Sequence, residues 1–216
     1  MRRPLVKICG ITRSVDALIA VEAGASAVGF VLIKSSPRYI DPERARAIAA
    51  SLPSGVARVG VVAGLAVPEV RSLVRAIGLT TIQAHGEETP EACRAFGVPV
   101  VKAIPAGEDF DLRSLESYRE FPLLLDGVSP DARGGTGNPA NWGGARAARD
   151  AGYRILLAGG LDPDNVLSAV REVGPVALDL NSGVENAPGE KNADRVRLAM
   201  KRLETLDPPE EISWPW

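Results

Sequence analysis

The chain has 216 residues, 45% hydrophobic and 24% charged, with a formal net charge of -2. This composition excludes a disordered chain, and it offers neither a basic field for nucleic acid nor an apolar run approaching the ~20 residues of a membrane helix. Two cysteines, Cys9 and Cys93, and one histidine, His85, make a disulfide framework or a Cys/His zinc site improbable, and no signal-peptide core follows the basic start, so a cytoplasmic setting is expected.

In chain order, short β-rich runs at 5–9, 27–33, 57–62, 81–84, 99–104, 122–126, 154–158 and 176–180 read as strands. The longer stretches between and after them, 14–22, 42–51, 67–77, 89–96, 111–118, 142–150, 163–173 and 192–206, read as helices. Asp41-Pro42 and Asp162-Pro163 each place an Asp at N-cap and a Pro at the first helical position. Gly24, Gly78, Gly97 and Gly152 fall just past helices, where a left-handed residue is wanted. Eight strand–helix pairs in 216 residues leave about 27 per pair, the length of one strand, one helix and two short loops. Strict alternation predicts a parallel sheet covered by helices, and eight repeats predict its closure into a (β/α)8 TIM barrel over 1–206, a single α/β domain. An open doubly wound sheet is the alternative. Residues 207–216 form a C-terminal tail, because Pro208 and Pro209 end the last helix.

Alternate strand residues share a face. Lys7 with Cys9, Gln83 with His85, Leu124 with Asp126, and Ala177 with Asp179 and Asn181 therefore point one way. The opposite parity is apolar at Val6, Ile8, Leu123, Leu125, Leu178 and Leu180, and less cleanly so around Val98, Val101 and Ala103. Charges inside a barrel are costly unless paired or functional, and active sites of this fold gather at the C-terminal strand ends. Lys7, Cys9, His85, Asp126 and Asp179 converge there. Glycine loops after the seventh and eighth strands, Gly159-Gly160 and Ser182-Gly183, suit a phosphate held by backbone N–H groups. A third glycine loop, 133–137, has the composition of a lid or substrate contact. Lys102 reads as a second interior lysine or a snorkelling strand-end residue, and Trp142 as a packing residue.

The opening Lys7-Ile8-Cys9-Gly10-Ile11-Thr12-Arg13 resembles the start of phosphoribosylanthranilate isomerases. So do Gly29-Phe30-Val31 with Ser36-Pro37-Arg38, Gln83-Ala84-His85-Gly86, and Leu125-Asp126 followed by Gly134-Gly135-Thr136-Gly137. Ala158-Gly159-Gly160-Leu161 and Asp179 with Ser182-Gly183-Val184-Glu185 complete the series in family order. The chain departs from the family at Ala63-Gly64, Ala84, Asn181 and Asn192, and none of these departures removes a group that the resemblance makes catalytic.

The resemblance implies an Amadori rearrangement of N-(5-phosphoribosyl)anthranilate in tryptophan biosynthesis. It makes Asp126 the general acid and Cys9 the base. Lys7 then favours the thiolate or contacts substrate, and Arg38 meets the anthranilate carboxylate. Asp179 holds a ribose hydroxyl or orients Arg38, and His85 is a further substrate contact. The rearrangement moves protons within one molecule, so no cofactor and no metal are implied. The partner is a phosphoribosylated small molecule, and the assembly a monomer or homodimer. Rival readings are another phosphosugar barrel, such as an indole-glycerol-phosphate synthase or a ribulose-phosphate epimerase, and a catalytically silent phosphate-binding barrel.

Overall fold

A computed structural model describes residues 1–107, 109–127 and 141–208. Eight parallel strands close into a barrel in sequence order: β1 (Leu5–Ile8), β2 (Ala27–Val31), β3 (Ala57–Val62), β4 (Thr81–Ala84), β5 (Val100–Pro105), β6 (Leu123–Asp126), β7 (Ile155–Leu157) and β8 (Ala177–Leu180). Closure is made by β1 against β8, with Lys7 in register with Asp179. The covering helices are α1 (Ser14–Glu22), α2 (Pro42–Ala50), α3 (Val67–Ile77), α4 (Pro90–Arg94), α5 (Trp142–Asp150), α6 (Val166–Val173) and α7 (Ala193–Leu203). All eight anticipated strands form, within two residues at each end.

Two anticipated α-helices differ. Over 111–118 the chain makes a 3-10 helix, Leu112–Tyr118, with the Asp111 side chain accepting from the Arg113 N–H. The Ser114 amide and hydroxyl both donate to the Asp111 carbonyl, at 3.0 and 2.7 Å, which fixes the tighter i→i+3 turn at its start. After β7 the α-helix begins at Val166, not at 163. Asp162 Oδ1 accepts from the amides of Asp164 and Asn165, while Asn165 Oδ1 accepts from the Asp162 amide. These local bonds hold a turn where the helix was expected. Asp41 does cap α2, accepting from the Glu43 amide at 2.8 Å.

The main core lies between strands and helices, with Ile8, Phe30, Ile82, Leu123, Leu125, Leu178 and Leu180 buried there. A second apolar cluster, Leu5, Val101, Ala103, Leu124, Leu156, Ala158 and Ala177, fills the barrel interior. Val101 and Ala103 thus face inward, which corrects the parity expected for the fifth strand. Lys102 lies behind the sheet, because its donors find acceptors there.

After β8 a 3-10 turn, Ser182–Val184, leads into a small hairpin of β9 (Glu185–Ala187) and β10 (Glu190–Lys191). Pattern reading did not foresee this hairpin, whose strands have three and two residues. The anticipated tail is anchored at its first residue: the Asp207 carboxylate takes the N-terminus at 2.8 Å and its carbonyl takes the Arg3 amide at 2.7 Å. The rest of the tail from 209, with Trp214 and Trp216, lies outside the described residues, as does the glycine loop 133–137.

Candidate active site

Above the apolar interior layer the barrel holds charge. Lys7 is fully buried on β1, where its Nζ donates to Asp179 Oδ2 at 2.7 Å and to Gln83 Oε1 at 2.8 Å. Gln83 Nε2 lies 3.0 Å from His85 Nδ1, and His85 Nε2 lies 3.8 Å from Asp126 Oδ2. A line of polar groups therefore crosses the barrel from β8 through β1 and β4 to β6. Each member was placed by strand parity alone.

Gly29 makes room for this line. A Cβ there would stand 2.7 Å from Cys9 Sγ and 2.8 Å from Lys7 Cε, closer than any packed carbon tolerates. Cys9 itself follows β1 and is buried, with its amide bonded to the Leu180 carbonyl at 2.9 Å. Cys93 is buried in α4 against the main core, away from this chemistry.

Electrostatics corrects one expectation. Burial pushes the Cys9 thiol up, and the Asp179 carboxylate pushes it further; the opposing pull of Lys7 and the weaker one of Lys191 do not compensate. Lys7 is the neighbouring cation and does favour the thiolate, but burial and Asp179 together outweigh it, so Cys9 rests as a thiol. Burial opposes the Lys7 ammonium, yet Asp179 and Cys9 outweigh burial and hold it charged. Asp126 is pushed up to about 6, first by burial and then by Asp179, against smaller pulls from the Gly127 amide and Lys7. His85 is held neutral, by burial and then by Lys7.

Asp179 has one open position. Its Oδ1 is buried and takes no hydrogen bond among the described residues. A buried acceptor without a donor is costly, and one inside a polar site marks where a ligand donor belongs. Asp179 does not orient Arg38; Glu185 does. Arg38 Nε and Nη2 both donate to the Glu185 carboxylate, the shortest contact being 2.7 Å. Lys191 Nζ reaches the same carboxylate at 2.7 Å and Asn181 Oδ1 at 2.9 Å. Burial opposes ionisation of Glu185, but Arg38 and Lys191 hold its carboxyl below the ordinary value. The hairpin after β8 thus supplies Glu185, the partner of Arg38, and Lys191, which holds Glu185 from the other side. The sequence contained Glu185 in a motif but gave no sign of this pairing, since 147 residues separate the two.

The two glycine loops meet. A Cβ on Gly183 would fall 2.0 Å from the Leu161 carbonyl oxygen, so the loop after β8 rests directly on the loop after β7. Gly159 and Gly160 both take positive φ, and the Asn165 amide group fixes the Gly160 carbonyl at 2.7 Å. Ser182 opens the adjoining 3-10 turn. All four expected phosphate-loop residues therefore lie at one edge of the barrel mouth.

Behind β4 and β5 lies a second buried cluster that sequence reasoning left aside. Lys102 Nζ donates to the carbonyls of Ala84 (3.3 Å) and Gly86, to Glu88 Oε2 (3.3 Å), and sits over the Tyr118 ring at 5.5 Å. Glu88 also accepts from the amides of Gly64 (2.8 Å) and Gly86 (2.9 Å). This cluster grips the chain on both sides of His85. Trp142 packs against the main core at the start of α5, as anticipated.

The chain matches the family described as PRAI, N-(5'phosphoribosyl)anthranilate (PRA) isomerase, over residues 6–202. It is 50% identical over 192 residues to the N-(5'-phosphoribosyl)anthranilate isomerase of Trichlorobacter lovleyi, covering 89% of this chain and 94% of that one. Its fold is similar to the crystal structure of phosphoribosyl anthranilate isomerase from Thermotoga maritima, with a TM-score of 0.88 at 41% identity over 94% of this chain and 100% of that chain. A further solved structure, of a phosphoribosyl anthranilate isomerase in complex with reduced 1-(o-carboxyphenylamino)-1-deoxyribulose 5-phosphate, is similar with a TM-score of 0.85 at 40% identity, again over 94% and 100%.

Proposed function

The chain belongs to the N-(5'-phosphoribosyl)anthranilate isomerase family, and from that premise we propose how its own residues carry out the isomerisation. The enzyme is an aldose–ketose isomerase of tryptophan biosynthesis. Its substrate, N-(5-phosphoribosyl)anthranilate, needs a proton at the furanose ring oxygen and a base at C2′. Asp126 gives the proton; the C1′–O bond breaks as the anilino nitrogen supplies its electron pair, leaving a protonated Schiff base. Cys9 takes the C2′ proton, and the electrons of that bond neutralise the iminium to give an enolamine, which tautomerises to 1-(2-carboxyphenylamino)-1-deoxyribulose 5-phosphate. Protons move and no net electrons leave the substrate.

The order of strands supports this placement. Around the barrel mouth stand Asp126 on β6, the glycine loops after β7 and β8, Cys9 after β1 and Arg38 after β2. Gly159, Gly160, Ser182 and Gly183 take the phosphate through backbone N–H groups. Arg38, held by Glu185, presents its remaining donors to the anthranilate carboxylate, a planar fork against a planar anion. The open Oδ1 of Asp179 accepts a ribose hydroxyl, and Lys7 and His85 line the same space. That orphaned acceptor supports the reading best, because it calls for a donor that the described residues do not supply and a ribose hydroxyl would.

The resting protonation state is inverted relative to the working one. Near neutral pH most Asp126 is ionised and Cys9 is a thiol; turnover needs the proton on Asp126 and the charge on Cys9. Both states carry the same number of protons, so the working form is a minor tautomer of the resting form.

The partner is this phosphorylated small molecule, and the assembly is a monomer or a homodimer. No helix among the described residues is long and apolar enough to cross a membrane. The two free buried cysteines fit a reducing compartment, in keeping with a cytoplasmic location. The test couples anthranilate and phosphoribosyl pyrophosphate through the phosphoribosyltransferase and follows the fluorescence of the aminoaldose. Chelator-insensitive acceleration of its disappearance, lost in Asp126→Asn, is the expected result. No acceleration by folded protein would overturn the reading in favour of another phosphosugar or a silent barrel.

A further inference from the structure

We infer that Gln83 is a positioning residue that sets the tautomer of His85, placing the ring proton on Nε2, the atom that faces Asp126. The argument begins at Lys7. An ammonium can only donate, so the Gln83 atom 2.8 Å from Lys7 Nζ must be the amide oxygen. The amide nitrogen is then the atom 3.0 Å from His85 Nδ1, and an amide nitrogen also only donates. Nδ1 must therefore accept, which leaves its lone pair occupied and the proton of a neutral ring on Nε2. Asp179, at 2.7 Å from Lys7, holds the ammonium that starts this sequence. A buried Lys–Asp pair on one side of the barrel thus dictates, through one amide, the hydrogen-bonding face of a ring on the other side.

The charged groups around the ring agree with a neutral imidazole. Lys7 and Asp179 face His85 from inside the barrel, and Lys102 and Glu88 from behind β4; burial and Lys7 lead in lowering its basicity. Asp126 in turn faces Asp179, Lys7 and His85. At 3.8 Å the Nε2–Asp126 separation is longer than a hydrogen bond, so the ring stands poised beside the carboxyl. The consequence for turnover rests on the assignment of Asp126 as the acid; the tautomer does not. When Asp126 gives up its proton it becomes a carboxylate, and an Nε2–H aimed at it stabilises the product of that step. The opposite tautomer would present a lone pair there and hold the proton on Asp126.

His85 is the only histidine in the chain, so long-range proton–nitrogen NMR reads its two ring nitrogens without ambiguity. The wild-type enzyme is expected to show a protonated Nε2 and an unprotonated, hydrogen-bonded Nδ1 near neutral pH. A protonated Nδ1 there overturns the proposal, and this measurement needs no variant. In Gln83→Glu the new carboxylate accepts where the amide donated, so Nδ1 should become protonated. In Gln83→Met, which adds no charge, the single tautomer should give way to a mixture. Both variants should lose about tenfold or more in kcat with KM within about twofold, roughly the worth of one charge-linked hydrogen bond. The acidic limb of kcat/KM should move up in the Met variant, as a share of the rings turns a lone pair instead of Nε2–H toward Asp126. A tautomer that changes while that limb and kcat stay put would show that the ring does not serve Asp126, and would overturn the positioning role. Retained turnover in Asp126→Asn would instead overturn the acid assignment and leave the tautomer result standing.

Discussion

Two buried lysine–carboxylate pairs lie on opposite faces of the same sheet, and they are built differently. Behind β4 and β5, every charged atom of Lys102 and Glu88 finds a partner: two carbonyls, two amides, each other and the Tyr118 ring. Inside the barrel, Lys7 donates to Asp179 and Gln83, but Asp179 Oδ1 takes no hydrogen bond among the described residues. The outer pair finishes its hydrogen bonding within the chain, which is what a structural ion pair requires to offset its desolvation. The inner pair leaves an acceptor unsatisfied, which under the proposed function is where a substrate hydroxyl donates. Satisfaction of lone pairs, more than burial or charge, separates scaffold from site here.

The largest expected effect falls on the inner side. Asp126→Asn should lower kcat by about 10²–10⁴, the usual worth of a positioned general acid, with an unchanged circular-dichroism spectrum. Next, Lys102→Met should cost about 3–5 kcal/mol in urea unfolding, because Glu88 is left buried without its cation. Its folded fraction should keep far more turnover than Asp126→Asn does. If the two variants behave alike, the distinction between the pairs is wrong.

The same Asp126→Asn should be more stable than wild type at pH 7. The native carboxyl titrates at about 6 and an ordinary one at 3.8. Between those values the unfolded chain has ionised while the native state still holds its proton, so native stability is lost as pH rises through that window. The penalty is about 3 kcal/mol above pH 6, and denaturation of both proteins at pH 4 and pH 7 should show it only at pH 7. Gly29→Ala should cost about 1–3 kcal/mol of stability by pressing on Lys7 and Cys9, and should reduce kcat as well. Finally, kcat/KM should rise with pH through about 6 and stay level until Cys9 ionises above the ordinary thiol range. A profile that falls through pH 6 would contradict the inverted resting state.

Much of this was legible in sequence because it depends on short-range rules. Strand–helix alternation, Pro and Asp at the start of α2, and period-2 parity placed Lys7, Cys9, Gln83, His85, Asp126 and Asp179 on the inner face without coordinates. Parity failed only at the fifth strand, where Lys102 turns outward. Composition alone does not say that Ala84 and Gly86 present carbonyls, and Glu88 a carboxylate, on that side. Arg38 was found as a motif residue, but its partner Glu185 was not, since the hairpin that carries Glu185 is too short to announce itself.

The sequence by itself determined the eight strand–helix repeats and which residue types share a face at the strand ends, because periodicity, caps and repeat number are local properties; the β1–β8 pairing decided closure over an open sheet. Only the tertiary structure decided the protonation states. Lys7 sits beside Cys9 and pulls its thiol down as expected, yet burial, and then Asp179, 172 residues from Lys7 in the chain, outweigh that pull and leave the thiol protonated. A pKa is the sum of burial and every charge nearby in space, and strand parity does not supply that sum.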